Sequence, residues 1–414
     1  MQGALLGKLA NVTFDMERSL VKDFTLEPYC QQCWFPYSKP NFSLSAAGIC
    51  RACASAENKI QLSHETWENR AQEFSELVRG AVKSEAPHYD VVVPVSGGKD
   101  SITQVVRANL HGARILAVSV DYGVKTDIGR RNLDVVPTIG ERVSLQTYRP
   151  PLEVHRKMIL KGLRGFGDPD LFSHTLLHAY PLHQALALQV PLVVLGENSA
   201  DVYGGNPEIA SLKGMTRQWF DSYAVSGDHT VMSTAEDFGI DSDVLRYYDF
   251  PDLIEASETR SVFLSSYFPW DSEVNFQIAK EHGFRELESA REGTFKTYVG
   301  IDEHINRIHQ YLKFLKFGYG RTTDHVCEEI RLGRLTREQG KQLILEHELA
   351  PPSFDTMQEV SGFLDLSVSE LARELERWRN TDLWTMTGTE TFQLRGFLGE
   401  SASPPVVALT SLHG

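Results

Sequence analysis

The stretch that most constrains this chain runs from Tyr89 to Leu110. Tyr89-Asp90-Val91-Val92-Val93-Pro94-Val95 is a short β-branched run of the kind that forms a buried strand. Ser96-Gly97-Gly98-Lys99-Asp100-Ser101 follows at once, and residues 101–110 read as a helix. Strand, glycine-rich turn and helix together build an anion site. Glycines let the backbone approach phosphate oxygens closely, and the N–H groups of the turn and helix start point at the anion with the helix dipole behind them. Ser96 and Ser101 add hydroxyl donors, and Lys99 adds a positive charge. Asp100 is a poor phosphate neighbour alone and makes sense if it holds a bridging Mg²⁺. An ordinary Gly-Gly turn is the bland alternative, and six residues in this context outweigh it.

The loop is not a Walker A motif, which needs Gly-x-x-x-x-Gly-Lys followed by Ser or Thr. Here Asp100 follows Lys99, and Val93 stands where the first glycine would be. The residues match instead the PP-loop motif, Ser-Gly-Gly-x-Asp-Ser, of the ATP pyrophosphatases. That resemblance implies an adenine nucleotide alpha hydrolase-like domain whose loop cradles the pyrophosphate of ATP. Attack then falls on the α-phosphorus, an adenylated intermediate forms, and pyrophosphate leaves. Further strand-like stretches occur at residues 114–120, 142–147 and 191–196, with a helical pattern at 176–188. This alternation argues for an α/β fold with a mostly parallel sheet covered on both faces. Ligands of such sheets sit at the carboxyl ends of the strands. Asp121 after the second strand, and Gly196, Glu197 and Asn198 after a later one, are therefore candidate nucleotide-site residues. For any single one of them, a loop-capping role is the alternative.

Cys30-x-x-Cys33 and Cys50-x-x-Cys53, 16 residues apart, are the second constraint. Each knuckle presents two sulfurs on one side, and four thiolates suit a tetrahedral, structural Zn²⁺ with no open position. Disulfides or a redox dithiol fit less well beside a second pair in a reducing compartment. A module of about 30 residues cannot build its own core, so the metal would supply its folding energy. The fifth cysteine, Cys327, reads as a small helix residue.

These features divide the 414 residues into an N-terminal arm (1–25), a zinc module (26–60), a linking helix (61–88), a PP-loop domain (89–300), a helical C-terminal region (301–385) and a loose tail (386–414). Thr336-x-x-Gln339 and Ser367-x-x-Glu370 fit capping boxes. No apolar run reaches the roughly 18 residues of a membrane span. Met1 to Lys8 lacks a signal-peptide core, so no membrane insertion and a cytoplasmic location are expected. The balance of 41 Lys+Arg against 55 Asp+Glu, a net charge of −14, argues against a nucleic-acid substrate.

Several stretches together resemble the N-acetyl sugar amidotransferase family of PP-loop enzymes, over roughly residues 26–350. They are the knuckles, Ser96 to Ser101, Leu195-Gly196-Glu197-Asn198-Ser199-Ala200-Asp201-Val202-Tyr203-Gly204-Gly205, Lys316-Phe317-Gly318-Tyr319-Gly320-Arg321-Thr322-Thr323-Asp324-His325, and Glu329-Ile330-Arg331-Leu332-Gly333-Arg334. The family pattern has Glu where this chain has Val202, so Asp201 or Glu197 must supply a carboxylate there. The resemblance implies ATP, Mg²⁺ and Zn²⁺ as cofactors. The implied reaction adenylates an acetamido group of a nucleotide-linked sugar, and ammonia then replaces its oxygen to give an amidine, within bacterial surface-polysaccharide synthesis. Ammonia is expected from a separate glutaminase partner, similar to the glutaminase–cyclase pair of histidine synthesis. The oligomeric state is left open.

Lys99, Asp100, Glu197 and His174 are the catalytic candidates, with Tyr203, Gly204, Arg321, Asp324 and His325 toward the acceptor. His174 and His178 share a helix face, where they line a sugar site or form a polar surface. Arg321 suits a phosphate of a sugar nucleotide or a structural ion pair. Trp219 and Trp270 read as core or interface. Two other readings stand beside this one. A tRNA-modifying thiolase would need a catalytic cysteine beyond the knuckles and a basic groove. A non-catalytic nucleotide binder would have little reason to keep both Lys99 and Asp100.

Overall fold

The computed structural model describes residues 29–223, 231, 239–399 and 403–412. The arm expected at 1–25 and the first positions of the zinc module lie outside the described residues. Five strands form a wholly parallel sheet: β1 (Val91–Pro94), β2 (Ile115–Val120), β3 (Val143–Tyr148), β4 (Leu192–Leu195) and β5 (Arg260–Phe263), in the spatial order β3-β2-β1-β4-β5. The first four fall on the expected strand stretches. The fifth, Arg260-Ser261-Val262-Phe263, is too short and too mixed to announce itself.

The principal helices are α1 (Arg51–Ile60), α2 (His64–Lys83), α3 (Lys99–Ala108), α4 (Asp127–Val135), α5 (Leu152–Lys161), α6 (Leu171–Ala187), α7 (Ser272–Glu281), α8 (His304–Phe317), α9 (Arg321–Arg331), α10 (Arg337–His347), α11 (Phe354–Leu364) and α12 (Val368–Glu376). Successive side chains of a strand face opposite ways, so the sheet separates two cores. Val91, Val93, Ile115, Ala117 and Val194 join Phe74 and Val78 of α2, Ile102 of α3 and Phe276 of α7. Val92, Leu116, Val118 and Val193 join Leu176 and Leu182 of α6, Ile308 and Leu312 of α8, and Trp34 and Phe35 beside the cysteines. Burial on both faces is why these strands read as unbroken apolar runs. Truncating the fully buried Phe74 to alanine would cost about 3–5 kcal/mol.

Both expected capping boxes are present, at the starts of α10 and α12. The loose tail expected at 386–414 is different. β6 (Trp384–Gly388), β7 (Thr391–Leu394) and β8 (Val406–Val407) form an antiparallel sheet, with Leu394, Phe397 and Leu409 buried. β6 exposes four of its five residues, so it lacks the apolar alternation that marks a strand. Among the described residues no helix is long and apolar enough to cross a membrane.

Candidate active site

β1 is flanked by β2 on one side and β4 on the other, so the order of strands reverses at β1. A crevice opens at the carboxyl ends of strands at such a switch point. Ser96 to Ser101 leaves β1 there and starts α3. Gly97 has φ +93°, and a Cβ on it would stand 2.5 Å from the Gly129 carbonyl oxygen, so only glycine fits. Ser101 Oγ donates to the Gly98 carbonyl (2.8 Å), and Gly98 N–H donates to Ser96 Oγ (3.1 Å). No side chain caps α3 at Gly98, which leaves helix-start amides for an anion.

Lys99 is buried with Nζ 2.5 Å from Asp100 Oδ2, and Asn275 Nδ2 donates to Asp100 Oδ1 at 2.9 Å. Glu197, just beyond β4, is held above the usual carboxylate range by burial and then by the charge of Asp100. Two carboxylates that repel each other beside uncapped helix-start amides would suit a hard divalent cation such as Mg²⁺.

Two cavities meet at the loop. One, of about 240 Å³, is lined by Gly98, Lys99, Trp270, Tyr298, Asp302 and His325 among others. The other, of about 620 Å³, is lined by Lys39, His174, His178, His309, Lys313 and Trp219 among others. Ser96, Asp100, Ser101, Glu197, Tyr203 and Arg321 border both, so the loop faces two compartments of one cleft. The volumes suit small ligands.

Most expected residues therefore converge, but three beyond the loop itself do not. Asn198 is buried, its Oδ1 accepts from Ala200 N–H and Trp219 Nε1, and its Nδ2 donates to the Ile209 and Leu212 carbonyls. Its amide is spent holding the strand end, so it borders neither cavity. Asp121 also lies outside both, ion-paired with Arg149 and accepting from Gly123 N–H at 2.9 Å. Gly204 packs on the cysteine module, where a Cβ would stand 2.5 Å from Ala52 N, and the neighbouring Gly205 lines the large cavity.

The histidines differ among themselves. His174 Nε2 lies 3.2 Å from Asp170 Oδ2 and opens on the large cavity. Burial and then His174 push the His178 imidazole down to about 4, which keeps it neutral near pH 7. His325 is held well below its ordinary value by burial, then by Arg321 and Lys296, and Thr294 Oγ1 is 3.3 Å from its Nδ1.

Several groups had no local signal in the sequence. Lys125 reaches the loop from beyond β2, donating to the Ser96 carbonyl (3.0 Å) and to Glu303 Oε1 (2.9 Å). Asp302 borders the smaller cavity beside Gly98. Lys313 of α8 pairs with Asp324 of α9, and His309 Nδ1 meets Asp168 Oδ1 at 2.8 Å.

The four clustered sulfurs lie within 4.8 Å of one another, with Cys30–Cys53 at 4.0 Å and Cys33–Cys50 at 3.9 Å. Thiolates about 2.3 Å from a zinc ion stand about 3.8 Å apart, so the donor set fits Zn²⁺. All four are buried. The module is pinned to the helical region: Trp34 Nε1 donates to the Arg337 carbonyl (2.7 Å), the Arg337 guanidinium covers the Trp34 ring (3.6 Å), and Ser38 Oγ donates to the Phe317 carbonyl (2.5 Å). Cys327 is buried in α9, as expected of a packing residue.

Residues 292–395 match the family model described as LPS biosynthesis protein WbpG-like, C-terminal domain. The match runs from Glu292 through α8 to α12 and the β6–β7 hairpin, and includes Lys313, Arg321, Asp324 and His325 of the cleft wall. It supports the N-acetyl sugar amidotransferase family to which the motifs point. A search of curated proteins found no match.

Proposed function

We propose that the chain is an ATP-dependent amidotransferase of bacterial surface-polysaccharide synthesis, acting on an acetamido group of a nucleotide-linked sugar. One observation carries the reading: the loop Ser96 to Ser101 and Glu197 lie between the cavity that holds Lys99 and a second, larger cavity at the sheet's switch point. ATP phosphates fit the loop amides and Lys99, and the acceptor fits the large cavity. Mg²⁺ would be held by Asp100 and Glu197, and when bound it neutralises phosphate charge.

In the first step the acetamido oxygen attacks the α-phosphorus of ATP. An O–P bond forms, the bond to pyrophosphate breaks, and the acetamido nitrogen loses its proton to leave a neutral O-adenylyl imidate. His174, beside Asp170 and open to the large cavity, would take that proton. In the second step ammonia adds to the imidate carbon and AMP leaves with the former acetamido oxygen. The amidine remains. The chain contributes mainly by holding both substrates against each other and by fixed donors at the phosphates. Cys327 lines neither cavity, which agrees with ammonia made by a separate glutaminase.

The test supplies Mg-ATP, ammonium and a panel of nucleotide-linked acetamido sugars. AMP, pyrophosphate and a sugar with NH in place of oxygen are expected. Release of ADP and orthophosphate would count against adenylation.

A further inference from the structure

The large cavity holds positive charge that the two chemical steps leave unused. Arg321 borders it at the start of α9, and its buried Nε has no hydrogen-bond partner. Lys313 enters from α8, paired with Asp324 and stacked 4.3 Å from the Tyr319 ring centroid. The third cation is Lys39, from the segment between the two cysteine pairs. Among the described residues its Nζ meets the Pro40 carbonyl at 3.4 Å and the Phe35 ring at 5.5 Å, with no ion pair. Burial lowers both lysines, with Asp324 partly offsetting it, and Arg321 lowers Lys313 further, so the groups sense one another.

The segment is not free to carry Lys39 elsewhere. Lys39 N–H bonds the Pro36 carbonyl, Phe42 N–H bonds the Lys39 carbonyl (both 3.1 Å), and Ser38 is tied to Phe317 at the end of α8. The neighbouring Gln310 is buried with an unpartnered Oε1 in the same cavity. Within the trio Lys313 is paired with Asp324 and Arg321 feels Glu197 through space, while Lys39 has no ion pair among the described residues. Desolvated cations gathered in one pocket need an anion, and a diphosphate supplies the required charge and acceptor oxygens.

We propose that Lys39, Lys313 and Arg321 form the subsite for the diphosphate of the acceptor. The cysteine module is then part of the acceptor site, and Lys39 is a specificity-determining residue. This rests on the reading of the Ser96 loop as the separate ATP site.

The experiment is calorimetric titration of the full chain with uridine diphosphate, alone and with the loop saturated by Mg-α,β-methylene-ATP. Wild-type protein is expected to bind uridine diphosphate with the analogue already in place. Lys39→Met, which keeps the stem against Phe35, and Arg321→Gln should each weaken that binding by about tenfold or more. In Lys39→Met the analogue's affinity and the metal content should stay unchanged, and Lys39→Arg should recover most of the loss. Uridine diphosphate that binds only by displacing the analogue, or wild-type affinity in both variants, overturns the subsite. Failure of the analogue itself to bind tells against the ATP site, so the two failures are distinguishable.

Discussion

The cysteine cluster and the glycine-rich loop both gather groups suited to a charged partner, and they present them in opposite ways. The cluster turns four buried sulfurs on one another and leaves no direction open. The loop keeps the α3 amides, Lys99, Asp100 and Glu197 on the wall of a cleft. A closed donor set suits an ion that holds a fold, and an open one suits a substrate that must arrive and leave. Both are nevertheless joined to the same cavity, because the segment between the knuckles carries Lys39 into it.

The largest expected effect falls on the closed site. Structural zinc supplies on the order of 10 kcal/mol to small modules. Removing the metal, or making Cys53→Ser, should abolish hydrogen-exchange protection in α1 and its flanking knuckles. Metal-free protein that keeps this protection and loses turnover would break the comparison, since the ion would then belong to the chemistry. At the open site, Asp100→Asn should lower pyrophosphate formation by about 10³-fold, with metal content and thermal unfolding unchanged. Turnover near wild type would remove Asp100 from the cation site.

A third prediction separates acid effects on the fold from those on either site. Burial pushes His155 down to about 3, where its Nδ1 lies 2.8 Å from Tyr248 Oη. Its ordinary value is 6.5, so between pH 6.5 and 3 the unfolded chain binds the proton that the folded chain refuses. The stability is complete above pH 6.5 and is lost as pH falls, by about 3 kcal/mol at pH 4. Urea unfolding of His155→Gln should show a correspondingly shallower decline, and an unchanged slope would contradict the assignment. The smallest effect lies at the seam between the regions. Gly204→Ala forces a Cβ against Ala52 N at positive φ and should cost about 1–3 kcal/mol. Gly333→Ala, also at positive φ but in open space, should cost about 1 kcal/mol. Equal losses would mean that the seam contributes nothing of its own.

What could be read from the chain follows the same division. The loop and the knuckles are local, so spacing along the sequence already states their geometry. β1, β2 and β4 are legible because they are buried on both faces, whereas the edge strand β3 is only partly buried. Lys125 and Glu303 meet across 178 positions, and Lys39 reaches a cavity walled by α8 and α9. No periodicity encodes such meetings, which depend on how the layers pack. Asn198 shows the converse: a polar residue at a strand end resembles a ligand, and its side-chain hydrogen bonds turn inward. The C-terminal sheet was hidden by an exposed β6.

The central claim is that an acceptor oxygen is adenylated beside the Ser96 loop. It is tested most directly by an acceptor whose acetamido oxygen is labelled with heavy oxygen, incubated with Mg-ATP and ammonium. The account predicts that the label appears in the phosphate of AMP in step with amidine formation. Unlabelled AMP accompanying the same product, or ADP in place of AMP, would contradict it.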